Sequence, residues 1–283
     1  MNDCYTIAMA SNLVFIPVIG AVISIAFAIM LLKQYISRKG PHQISWAFAM
    51  LLFGVGFIGE ALGLLQGWNQ FSAKIYYLFG GILAVGYLSM GTIYLLKPQP
   101  AKWISIGSLT IIFVLWIPIF GLKLFSADLP AAIIIILLYL ATIVGAIFIS
   151  TARILWASLI TTTVLATVSL SQHYVNIAKL TQTESWREVM TVPLRSGAFA
   201  LSAIGTLIVI AGAVYSSITG WSDPKRRPYV YTTALIAVGV LIAASGGTLH
   251  GMFGVGKQLG LSITTTIGIG VMFAGFLQAS VKR

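Results

Sequence analysis

The sequence predicts an all-α fold, a polytopic integral membrane helix bundle of about nine transmembrane helices with the N-terminus outside and the C-terminus inside. Three observations carry this. Hydrophobic residues fill 58% of the 283 positions, charged residues only 8%, and the mean hydropathy is +0.97. The apolar residues gather into runs close to the about 20 residues that cross a hydrocarbon core of roughly 30 Å. Basic residues also fall unevenly between alternate connections. Soluble domains carry roughly 25% charge; a surface with so few charges cannot be solvated. A soluble domain and a disordered chain are therefore excluded. With Cys4 as the single cysteine, so is a disulfide scaffold.

The apolar runs cover residues 8–32, 44–65, 73–96, 103–120, 130–149, 154–175, 192–218, 230–249 and 258–279. They make residues 1–283 a single transmembrane domain, since the longest polar stretch, 176–190, is too short to fold alone. Met1-Asn2-Asp3-Cys4-Tyr5 lacks the positive region of a signal peptide, so the first run is expected to remain as a helix. Only Ser150-Thr151-Ala152-Arg153 separates the fifth run from the sixth. One helix across 130–175 would overspan the bilayer. The region is read as a tight hairpin with Arg153 at the interface, or as one span plus a re-entrant segment.

Orientation follows from the cations. With the N-terminus outside, the inner connections hold Lys33, Arg38, Lys39, Lys97, Lys102, Arg153, Lys225, Arg226, Arg227, Lys282 and Arg283, which is 11 of the 17 basic residues. That is the positive-inside pattern. The formal charge of +11 is thereby explained by topology, and no nucleic-acid partner is expected because no loop is long enough to build a basic face. The lipid bilayer is the expected partner. The absence of a targeting segment points to a multi-pass protein of a prokaryotic plasma membrane.

Small residues recur four apart: Gly59, Gly63 and Gly67; Gly212, Ser216 and Gly220; Gly239, Ala243 and Gly247; Gly270 and Ala274. Such rows let helix backbones approach closely where lipid supplies no hydrophobic drive. They serve a private bundle, a homo-oligomer, or docking to other subunits of a membrane complex. Run 154–175 is rich in hydroxyls, including Thr161, Thr162, Thr163 and Thr167, and closes on Gln172-His173. Ser262 and Thr264-Thr265-Thr266 open the last run. These hydroxyls either line a polar cavity or bond back to their own helix.

Glu60 is the one acid inside a run, roughly 7–8 Å to the outer side of its middle at about 1.5 Å per residue. An intramembrane acid is a functional candidate by default. Its structural alternative is an ion pair with Lys74, which can snorkel toward it. Glu60, Thr162, Thr163 and Gln172 are the candidates for binding a substrate or proton. His173 and His250 end two runs at similar depth, and imidazoles so placed suit haem iron or, with a carboxylate, zinc. Gly251 to Lys257 matches a phosphate-binding loop on paper, but Gln258 replaces its hydroxyl and no strand precedes it. No catalytic constellation appears, so an enzyme is not expected. The leading function is a transporter-like or permease-like protein for a small neutral or apolar molecule, with Glu60 gating. The alternatives are a redox or metal-binding subunit using His173 and His250, and an accessory structural subunit of a membrane complex.

Overall fold

The computed structural model describes residues 14–96, 174–183, 186–189, 192–221, 227–253 and 258–281, with 160, 163, 164 and 167 besides. The described residues are helical apart from short turns, and no strand occurs among them. Runs 103–120 and 130–149, and most of 154–175, lie outside them.

Helix α1 spans Phe15–Arg38 and α2 spans Pro41–Gln66. The turn between them is two residues long. Lys39 takes the left-handed conformation (φ 51°) and donates its N–H to the Tyr35 carbonyl at 2.7 Å. Gly40 donates to Gln43 Oε1 at 3.3 Å, and Pro41 opens α2 where its missing N–H costs nothing. At the far end, Gly67 turns the chain with φ 81°, a conformation that favours glycine. Asn69 then caps α3 (Gln70–Ile75): its side chain accepts from Ser72 N at 2.9 Å, while Ser72 Oγ accepts from Asn69 N at 3.1 Å.

From Gln70 the chain continues as one rod to Leu96, through a π-helical stretch, Tyr76–Leu83, into α4 (Ala84–Leu96). Two short helices follow later, α5 (Ile177–Thr183) and α6 (Trp186–Val189). Three long ones close the chain: α7 (Val192–Trp221), α8 (Arg227–Phe253) and α9 (Gln258–Val281). Among the described residues, five helical stretches are long and apolar enough to cross a membrane: Phe15–Arg38, Pro41–Gln66, Gln70–Leu96, Ser202–Trp221 and Gly260–Gln278. Thr233–Gly246 of α8 adds a shorter apolar stretch.

The long elements pack in a closed circuit: α1 on α2, α2 on the rod, the rod on α7, α7 on α8, α8 on α9, and α9 back on α1. Glycines set the close approaches. A Cβ on Gly56 would stand 2.8 Å from the Gly80 Cα, so α2 and the π-helical stretch meet backbone to backbone. A Cβ on Gly239 would stand 2.5 Å from the Gly268 carbonyl, which joins α8 to α9 in the same way. Gly59, Gly63, Gly212 and Gly239, four of the small residues noted in the sequence, are thus used inside this bundle. Gly270 meets nothing within 4 Å among the described residues, and Ala274 is exposed. The core beneath includes Leu31, Ile44, Ala47, Met50, Phe53, Tyr87, Ile269 and Met272, and Phe27 stacks against both Phe273 and Phe276 at 5.1 Å. Large apolar side chains such as Val22, Ile58, Leu207 and Ile267 point outward, as a lipid-facing surface requires.

A buried carboxyl inside the helix ring

Glu60 lies six residues before the end of α2, about 9 Å from it along the axis. At about 100° per residue it shares a face with Phe53 and Phe57 and opposes the exposed Ile58 and Leu65. Its side chain is 1% exposed and therefore turns into the ring. From α9, Ser262 Oγ donates to Glu60 Oε2 at 3.1 Å, and Ser262 is itself buried. Because α2 and α9 both flank α1, this hydrogen bond reaches across the interior. The Tyr76 phenol, at the start of the π-helical stretch, interacts electrostatically with the same carboxyl. Lys74 occupies the last turn of α3, half-buried, and like Glu60 it has an interaction partner.

An aromatic cap sits on the same end of the ring. Trp186 meets Trp68 edge to face at 5.2 Å and lies tilted against Tyr76 at 5.0 Å and Tyr77 at 5.8 Å, and Trp68 meets Tyr76 edge to face at 5.7 Å. Trp68 in turn covers Gly63, one turn beyond Glu60. Ala73, Val175, Leu180 and Val189 complete this second core. The Gln70 side chain clamps the cap from below: its Oε1 accepts from Val175 N at 3.1 Å and its Nε2 donates to the Val175 carbonyl. One amide thus satisfies both backbone groups of a residue outside any helix, which explains how Val175 is fully buried without cost.

The other candidates fall elsewhere. Thr163 Oγ1 shares a hydrogen bond with the buried Tyr87 hydroxyl at 2.9 Å. Tyr87 lies 17 residues into the rod, so this pair sits about 15 Å below Glu60 along the ring axis. The Tyr87 backbone is anchored by Ser45, whose Oγ donates to its carbonyl at 2.6 Å, and Trp46 Nε1 donates to the Leu88 carbonyl at 3.1 Å. Thr162, Gln172 and His173 lie outside the described residues. His250 is three residues from the end of α8. Among the described residues no three His, Cys, Asp or Glu gather as a metal ligand set. The residues Gly251 to Phe253 of the apparent phosphate loop continue α8 as helix.

The sequence drew attention to Glu60 and to the hydroxyls opening the last run. It gave no reason to choose Tyr76, Gln70 or Trp186, because aromatics near span ends read as an interfacial belt and Gln70 reads as a loop residue. Compared with known proteins, the chain matches no family model, no curated protein and no solved structure.

Proposed function

We propose that this chain is a permease-like multi-pass membrane protein for a small neutral molecule, with Glu60 as its protonation and gating group, oriented with the N-terminus outside in a prokaryotic plasma membrane. The observation that carries the reading is the Glu60 carboxyl, 1% exposed, turned into a ring of apolar helices and held there by a serine from a non-adjacent helix. Burying an ionisable group in a membrane interior is expensive, and a bundle that needed only packing would place leucine there. A carboxyl in that position supplies two states that differ by one charge. Protonated, it leaves the interior neutral and passable; ionised, it binds Ser262 more strongly and closes the interior on itself.

The test uses purified full-length protein in liposomes, with the flux of glycerol, urea and formamide followed by light scattering after an osmotic step. Wild-type protein is expected to accelerate at least one solute in a pH-dependent manner. Glu60→Gln, which holds the neutral state permanently, is expected to insert normally and to keep the flux of the acid form at every pH, so that the pH dependence is lost. A pH dependence retained in Glu60→Gln would remove the role of the carboxyl. Wild-type liposomes no more permeable than empty ones would remove the permease reading.

A further inference from the structure

Two hydroxyls are shut off from solvent and have no hydrogen-bond partner among the described residues: Ser24 Oγ on α1, a fully buried residue, and Thr266 Oγ1 on α9, a half-buried one. In apolar helices such hydroxyls ordinarily donate to the carbonyl one turn back. Thr92, Thr219, Thr264 and Thr265 all do so in this chain. Ser24 and Thr266 do not, although an unsatisfied buried hydroxyl is unfavourable and rare.

Their placement is specific. Ser24 is 0% exposed and opposes Val18, Val22 and Ile29, which face outward, so it points into the ring between α2 and α9. One turn further out on α1, Gly20 seats the Phe57 ring, and Glu60 lies one turn beyond Phe57 on α2. Ser24 is therefore about 10 Å inward of Glu60 by backbone level. Thr266 is one turn inward of Ser262, the residue that bonds Glu60, so its level falls between the two. Side chains lean toward the N-terminus of their own helix. The α1 and α9 hydroxyls therefore lean outward and the Glu60 carboxyl leans inward, since α2 runs antiparallel to both. The three polar groups thus lean toward one another beside the Phe57 ring that Gly20 seats, and a water among them would have the two or more polar partners it needs.

We propose that ordered water bridges the Ser24 and Thr266 hydroxyls to the Glu60 carboxyl. Such a bridge satisfies both hydroxyls and gives the carboxyl a hydrogen-bonded connection toward the middle of the ring, on the side away from the aromatic cap. It stands whether or not a solute is carried, and its test needs no transport.

Full-length protein in nanodiscs carries Ser24→Ala, Thr266→Val or both. Each single change is expected to lower the melting temperature, because it strips a shared water of a partner. The double change is expected to cost less than the sum, because the bridge is lost only once. A rise in melting temperature for either single variant would mean that an unsatisfied hydroxyl had been removed, and strictly additive losses would mean that nothing joins the two sites; either result overturns the proposal. A second readout does not depend on stability. Infrared difference spectra between acid and neutral forms are recorded in ordinary and in oxygen-18 water. A water O–H band that shifts with the isotope and vanishes in Ser24→Ala and Thr266→Val is expected. Its absence from the wild-type spectrum overturns the bridge.

Discussion

At the scale of single residues, the ring is tuned by positions that tolerate no side chain. A Cβ on Gly63 would stand 2.6 Å from the Trp68 indole, which the aromatic cap holds in place. Gly63→Ala is expected to cost about 1–3 kcal/mol by overpacking, seen as a lower melting temperature. Gly81 is the control. Its nearest neighbour for a Cβ is the Tyr77 ring at 4.0 Å, so Gly81→Ala is expected to be neutral or to stabilise by up to about 1 kcal/mol through helix propensity. Much of the site was readable at this scale: an acid among apolar residues announces itself by cost alone, which is how Glu60 stood out. Ser24 did not. It sits between Gly20 and Ala28 at helical spacing, and a row of small residues signals packing whatever its middle member does.

Elements were legible as apolar runs. The Pro41 start and the Asn69–Ser72 cap, which lie ahead of runs 44–65 and 73–96, and the turn at Gly67, read only as part of a packing row, were not singled out, although each is a sequence signal with a mechanism. The π-helical stretch is not, because no residue type encodes its wider turn; it arises where Gly80 lets the rod settle against Gly56. Pairing between distant elements was equally hidden. The Gln70 amide binds Val175 across 105 positions, and a lone glutamine at a helix start carries no sign of that. Gln70→Leu is expected to release residues 174–183 from the cap, leaving the Val175 N–H and carbonyl buried and unsatisfied at about 1–3 kcal/mol. Hydrogen exchange reads this directly: amides of α5 should exchange faster while those of α1 and α2 keep their protection. Unaltered exchange in α5 would show that the aromatic stacking alone holds the cap.

For the whole molecule, composition was enough to announce helices in a membrane, whereas the order in which they pack was not. Periodicity identifies an apolar helix but names no neighbour, and the closed circuit from α1 round to α9 depends on contacts far apart in sequence. Sidedness is open to a direct check. Ser37, exposed at the α1–α2 end, and Thr181, exposed at the capped end, lie at opposite poles of the ring. In a Cys4→Ala background, an impermeant maleimide added to intact cells should label Thr181→Cys and spare Ser37→Cys until the membrane is opened. The reverse pattern would invert the orientation.

The distance along the chain between Glu60 and Ser262, 202 positions, bears on how the protein is made. The hairpin of α1 and α2 leaves the ribosome long before α9 has been translated. At that moment the carboxyl must enter lipid without its serine, so the neutral acid is the form that partitions easily. A nascent chain stalled before α9 should therefore insert more readily in acid than in base, and the completed chain should lose that sensitivity. Biogenesis would then impose its own requirement for a proton on Glu60, earlier than any activity of the finished protein.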